Sequence, residues 1–216
     1  MRAFGFGSKT DLKFPGEATG ILLPPEKYSD TSLATVPVGN GLAVTPLQML
    51  SVYMTIANNG VKVPPKLIKS YVSSDGKVQD VGIGETDRVI SQTTAKQLQT
   101  MLANVVASGT GTKAVVSGYS VAGKTGTARK PPYNKPPYKY VASFAGFAPA
   151  NNPRLATIVV LDEPTGNYYG GTIAAPIFSR VMQTALRVTG VPQDKPVQGA
   201  SISNVASVTT LPKEQQ

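Results

Sequence analysis

The chain has neither cysteine nor histidine among its 216 residues. Without thiols it has no disulfides, thiolate nucleophiles or cysteine metal sites, although the redox compartment stays open because proteins on either side of a membrane do without cysteine. Without imidazole, Ser-His catalysis and histidine-ligated metals are excluded too, so any enzyme made from this sequence must move protons with Lys, Asp, Glu, Tyr or a hydroxyl. Carboxylates are also missing between Asp87 and Asp162, where Arg88, Lys96, Lys113, Lys124, Arg129, Lys130, Lys135, Lys139 and Arg154 all fall. With a formal net charge of +9, this stretch is expected to attract anions. No apolar run approaches the roughly 20 residues of a membrane-spanning helix, and residues 1–30 have no apolar block of a signal peptide; as written, the chain reads as soluble and untargeted.

The composition that remains, 41% hydrophobic with 21 glycines and 18 prolines, is globular and allows one domain or part of a larger one. A nucleic-acid partner is not expected, because no helix clusters Arg and Lys and the aromatic residues form no stacking motif. An anionic small substrate or an acidic polymer fits the charge equally well.

Residues 1–40 are rich in Gly, Pro and turn signals such as Phe14-Pro15-Gly16-Glu17 and read as ordered loop. A helix is predicted from Thr45, an N-cap followed by Pro46 in the favoured first position, with Leu47, Leu50, Met54 and Ala57 on one face and a stop at Asn58-Asn59-Gly60. A second is predicted from about Ser91, where Leu98, Met101, Leu102, Val105 and Val106 form a stripe that ends at Gly109. Strands are expected at about 67–72, 78–81, 120–129, 140–148 and 155–162, the last three joined by short connections that make them antiparallel neighbours. The loop between the first two of those three repeats Lys-Pro-Pro-Tyr at 130–133 and 135–138 and reads as an extended, solvated hairpin loop. A last helix is predicted over about 174–189, and a flexible tail from 191 to 216.

Residues 118–130, Gly-Tyr-Ser-Val-Ala-Gly-Lys-Thr-Gly-Thr-Ala-Arg-Lys, fit two incompatible sites. Gly118, Gly123, Lys124 and Thr125 satisfy a nucleotide-binding phosphate loop, and Ile158–Glu163 looks like the Walker B strand to go with it. A phosphate loop, however, needs a helix starting at its Lys-Thr, and here Pro131-Pro132 leaves about five residues where two or three turns are required. Lys124, Thr125, Gly126 and Thr127 equally spell a Lys-Thr-Gly box, which needs an exposed strand. Alternation then puts Thr125 and Thr127 on one face, where two hydroxyls can hold a carboxylate, with Lys124 and Gly126 on the other. Gly126 removes a side chain where an extended peptide must approach the strand edge, and a nearby backbone N–H can stabilise an oxyanion.

The surroundings of that box include Phe-Gly-Phe-Gly at 4–7, Phe-Pro-Gly-Glu at 14–17, Gly39 to Gln48, Ser120 to Ala128, Phe144 to Pro149 and Tyr168 to Phe178, in that order. With them the chain resembles, over about residues 1–190, the C-terminal part of the transpeptidase domain of class B penicillin-binding proteins of the cell-division type. The resemblance implies an α+β fold in which a central antiparallel sheet is flanked by helices, present here only in its C-terminal portion. It also implies a D,D-transpeptidase that cross-links peptidoglycan stem peptides and is acylated by β-lactams through a serine ester, with no cofactor and no metal. Lys124 would assist catalysis by orienting a hydroxyl of a second motif. Thr125, Gly126 and Thr127 would bind substrate, the two hydroxyls taking the terminal carboxylate of D-Ala-D-Ala or of the antibiotic and the Thr127 N–H completing the oxyanion hole. Gly39-Asn40-Gly41 and Tyr168-Tyr169-Gly170-Gly171 would be framework, their glycines serving tight turns.

The family's Ser-x-x-Lys and Ser-x-Asn motifs are the departure. No Ser-x-Asn occurs, and the single Ser-x-x-Lys, Ser74 to Lys77, sits on an Asp-Gly turn and follows motifs that the nucleophile should precede. The expectation is therefore one wall of an active site, inactive alone and marginally stable, whose nucleophile and first two strands lie upstream of Met1 together with a membrane anchor that holds the domain outside the cytoplasm. The missing half and division proteins would be its partners. The competing class is a binding or structural module of the same fold without catalysis.

Overall fold

The computed structural model describes residues 1–12 and 14–196. Its element order is β1 (Ile21–Leu22), α1 (Asp30–Thr35), β2 (Leu42–Ala43), α2 (Pro46–Ala57), β3 (Val61–Lys62), β4 (Ser70–Val72), β5 (Val78–Asp80), β6 (Asp87–Arg88), α3 (Gln92–Ser108), β7 (Ala122–Arg129), β8 (Tyr140–Ala148), β9 (Leu155–Asp162) and α4 (Gly170–Val188). The central sheet has the order β7-β8-β9 and is antiparallel throughout, with Thr125 opposite Phe144 and Phe144 opposite Val159. The expected antiparallel sheet between helices is present.

Both long central helices start where their capping chemistry dictates. Thr45 accepts from the Gln48 N–H while Gln48 Oε1 accepts from the Thr45 N–H, a reciprocal capping box ahead of Pro46. Ser91 accepts from the Thr94 N–H and starts α3. Gln48 does more than cap: it is fully buried, and its Nε2 donates to the carbonyls of Ser8 (2.7 Å) and Thr19 (2.8 Å). That bond pair ties the loop-rich first segment to α2, which is why a stretch with little apolar content is ordered.

Each face of the sheet has its own core. On one, Phe144 meets Phe178, Met182 and Leu186 of α4 together with Val106, Val116 and Val121; the Phe144 and Phe178 rings lie 4.7 Å apart. On the other, Ala122 and Phe147 meet Ile56 of α2, with Leu98 and Leu102 of α3 against them. Each buried phenylalanine contributes about 2–3 kcal/mol of transfer free energy, so the two clusters hold the layers together.

Three differences from the sequence reading have physical causes. Ser29 caps α1, six residues within the stretch read as loop, too short to show a period. Next, α4 begins at Gly170 rather than 174: two glycines and Pro176 lower its intrinsic preference, but packing overrides it. Finally, the segment after Gly190, which the sequence assigns to a flexible tail, is held for at least its first residues. Val191 is buried and accepts from the Tyr119 hydroxyl, and Asp194 accepts from the Ser120 N–H and hydroxyl. The remainder of that tail, 197–216, lies outside the described residues. No described helix is long and apolar enough to cross a membrane.

Candidate active site

Lys124, Thr125, Gly126 and Thr127 lie together in β7, an outer strand of the central sheet, with β8 on its inner side. The phosphate-loop reading fails on this geometry: the strand runs through the Lys-Thr to Arg129 and no helix starts there. The Walker-like carboxylates serve a different purpose. Glu163 takes Lys130 and Lys139, each at 2.6 Å, and Asp162 takes Lys130 at 2.8 Å, which staples the two stems of the β7–β8 loop.

The two hydroxyls face the same way. Thr127 Oγ1 accepts from the Gly170 N–H of α4 (3.1 Å), and Thr125 Oγ1 lies 2.9 Å from Thr110 Oγ1 in the loop that follows α3. Lys124 is exposed, and its Nζ curls along the strand to donate to the Thr125 carbonyl (3.1 Å) and to Thr125 Oγ1 (3.3 Å). An ammonium and two hydroxyls thus stand within one stretch of strand edge, where fixed donors favour an incoming carboxylate. Gly126 is opposite Ser143, and a Cβ on it would meet Ser143 Oγ, which would have to rotate away to make room.

The Tyr168-Tyr169-Gly170-Gly171 glycines are not turn residues. Neither has a positive φ; they are the first two residues of α4. A Cβ on Gly170 would overlap the carbonyls of Gly126 and Ser143, and one on Gly171 would overlap the Thr110 carbonyl and reach Thr125 Cγ2 at 3.2 Å. The pair lets the positive end of a 19-residue helix touch the strand, and the otherwise orphaned Gly170 N–H finds Thr127. Gly39 and Gly41, with φ of 97° and 79°, do take the turn role expected of them.

Ser74 sits in the exposed β4–β5 turn, where Lys77 pairs with Asp75 at 3.0 Å. It has neither the helix nor the free lysine that a serine nucleophile needs.

Residues 1–183 match the family model of the penicillin binding protein transpeptidase domain. The chain belongs to the penicillin-binding transpeptidase family. It is 41% identical over 204 residues to the penicillin-binding protein PbpB of Mycolicibacterium smegmatis, covering 89% of this chain and 32% of that protein. To the peptidoglycan D,D-transpeptidase FtsI of Escherichia coli it is 37% identical over 194 residues, covering 88% of this chain and 31% of that one. The crystal structure of penicillin-binding protein 3 from Mycobacterium tuberculosis complexed with ampicillin superposes with a TM-score of 0.82 at 38% identity, over 92% of this chain and 46% of that one. The chain thus spans about a third of the length of the curated relatives it matches, 32% and 31%. These relatives are class B penicillin-binding proteins, as the ordered motifs imply.

The sequence reading missed part of this candidate site. Thr110 lies 15 positions before Thr125, and no spacing rule joins them; the one local signal was the Gly109-Thr110-Gly111 stop of α3. Tyr140 and Tyr168 stack with centroids 4.0 Å apart, and Tyr169 extends the cluster at 4.6 Å beside the start of α4. The contact with the Tyr169 hydroxyl, then the neighbouring phenols, push Tyr168 up to about 12. It stays neutral across the physiological range. Arg129 ends the strand with its guanidinium 3.3 Å over the Tyr138 ring.

Proposed function

We propose that this chain forms one wall of the active site of a peptidoglycan D,D-transpeptidase that cross-links stem peptides and is acylated by β-lactams. The observation that carries the reading is the open edge of β7, where Lys124 Nζ and the hydroxyls of Thr125 and Thr127 line one extended segment. Thr125 and Thr127 bind the terminal carboxylate of D-Ala-D-Ala or of the antibiotic. The Thr127 N–H stabilises the oxyanion, and Gly126 keeps the edge clear for the peptide backbone. Lys124 supplies a fixed positive charge and orients the hydroxyl of a Ser-x-Asn motif. The ampicillin complex of the similar M. tuberculosis protein supports a β-lactam as ligand.

The acyl transfer needs a serine from a Ser-x-x-Lys motif on another segment. Its oxygen attacks the carbonyl of the penultimate D-Ala, the C–N bond breaks, and the terminal D-Ala leaves with the proton. An acceptor amine then attacks the ester, forming the cross-link and returning the proton to the serine. The one Ser-x-x-Lys of this chain, Ser74 to Lys77, lies on an exposed turn, so in this reading acylation depends on that other segment. The partners in this reading are the nucleophile-bearing half of the domain, the stem peptides and proteins of cell division. In this reading a membrane anchor places the domain outside the cytoplasmic membrane.

A fluorescent penicillin tests this. It is expected to label the protein when the nucleophile-bearing half is present and not the isolated chain, and Lys124→Ala is expected to slow the labelling about a hundredfold or more. Labelling of the isolated chain would overturn the division of the site between two segments; no label in either form would favour a binding module of the same fold.

A further inference from the structure

We infer that Thr110 is a positioning residue that turns the proton of Thr125 toward the substrate carboxylate, an inference that rests on the carboxylate-binding reading of β7. A threonine hydroxyl has one proton and two acceptor lone pairs. Thr125 Oγ1 already accepts from Lys124 Nζ at 3.3 Å, and Thr110 Oγ1 lies 2.9 Å away with no other hydrogen-bond partner among the described residues. When Thr110 donates, both lone pairs of Thr125 are occupied and its own proton has only the open edge of the strand to point to. When Thr110 is absent, that proton is free to rotate away from the edge. Thr127 is arranged on the same principle, since the Gly170 N–H fills one of its lone pairs.

The backbone holds Thr110 in this role from two sides. The N–H groups of Gly109 and Gly111 both donate to the Val105 carbonyl, at 3.1 and 3.0 Å, which closes α3 and fixes the residue between them. On the other side the Thr110 carbonyl is against Gly171, where a Cβ would overlap it. The hydroxyl is therefore delivered to Thr125 by the end of one helix and the start of another, and it touches neither Lys124 nor the reacting atoms in this structure.

The test compares benzylpenicillin, which has a free carboxylate, with its methyl ester, in the full-length protein as its gene encodes it. Thr110→Val should lower the second-order acylation rate by benzylpenicillin about five- to tenfold, in the binding step rather than the acylation rate constant. The ester's rate should stay within about twofold, Thr110→Ser should restore the acid's rate, and the melting temperature should hold because Thr110 is exposed. Equal loss for acid and ester, or no loss in Thr110→Val while Thr125→Val weakens the acid, would overturn the inference alone. If Thr125→Val also leaves the acid unaffected, the carboxylate reading of the strand fails and takes Thr110 with it.

Discussion

The backbone N–H of Gly170 donates to the hydroxyl of Thr127 across 3.1 Å, joining the first residue of α4 to the last residue of the Lys-Thr-Gly-Thr run. The contact exists because Gly170 has no side chain. Gly170→Ala would drive a methyl group into the carbonyls of Gly126 and Ser143, which are backbone and cannot rotate away. The expected result is a loss of about 1–3 kcal/mol in denaturant unfolding, with a fall in penicillin acylation of the full-length protein larger than the stability change explains. Unchanged acylation would mean that the seating of α4 is irrelevant to the site.

Lys124 is exposed and, among the described residues, bonds only to its strand neighbour Thr125, so its removal should cost activity and not stability. Lys124→Ala is expected to reduce the acylation rate by about a hundredfold or more, with a melting temperature within experimental error. Lys124→Arg keeps the charge but not the compact ammonium, and should recover only part of the rate. Equal rates for the three forms would remove Lys124 from the mechanism.

Gln48 holds the first segment through two carbonyls while its Oε1 takes part in the capping box of α2. Gln48→Leu keeps the Thr45 cap on the backbone N–H but leaves the Thr45 N–H without its acceptor and the Ser8 and Thr19 carbonyls unpaired, for an expected loss of about 2–4 kcal/mol. Chemical denaturation measures the total. Limited proteolysis should show residues 1–20 cut first, whereas a cut pattern identical to the unaltered protein would refute the tether.

The staple on the β7–β8 loop should depend on pH. The Lys130 and Lys139 contacts hold the Glu163 carboxyl below its usual range, and Asp162, then Glu163, raise Lys130 above the usual lysine range. A depressed carboxyl stabilises above its ordinary value and loses that contribution as pH falls through the folded value; a raised lysine stabilises below its ordinary value and loses it as pH rises through the folded one. The loop is thus tightest between the ordinary carboxylate and lysine ranges. Because the partners are about a third exposed or more, the effect on global stability is small and salt-sensitive. The protection factors of the Lys130 and Glu163 N–H groups, which donate to the Lys139 and Tyr140 carbonyls at the stem of the loop, are the appropriate readout, and they should fall toward acid and in high salt. Protection factors that do not change in acid would show that the ion pairs leave the loop unrestrained.

Phe144 joins the site to the core: it is opposite Thr125 and its ring packs against Phe178. Phe144→Ala should cost about 3–5 kcal/mol and loosen β7 and α4 together. A loss below about 1 kcal/mol would place the core elsewhere.

By itself the sequence determined much of what depends on neighbours a few residues apart, although the equally local Ser29 cap of α1 went unread because six residues show no period. Thr45 with Gln48, and Ser91 with Thr94, are caps within one turn, and the strands 140–148 and 155–162 announce themselves by composition and by the short links between them. The position of Lys124 to Thr127 on an exposed strand was legible for the same reason, since Pro131-Pro132 forbids the helix that a phosphate loop needs. Tertiary structure alone decided that α4 reaches back to Gly170, that Thr110 meets Thr125, and that Tyr140 stacks on Tyr168. Those contacts join segments separated by 15 or more residues, and their free energy comes from burial and from satisfying orphaned backbone groups, quantities that exist only once the sheet and its helices have come together.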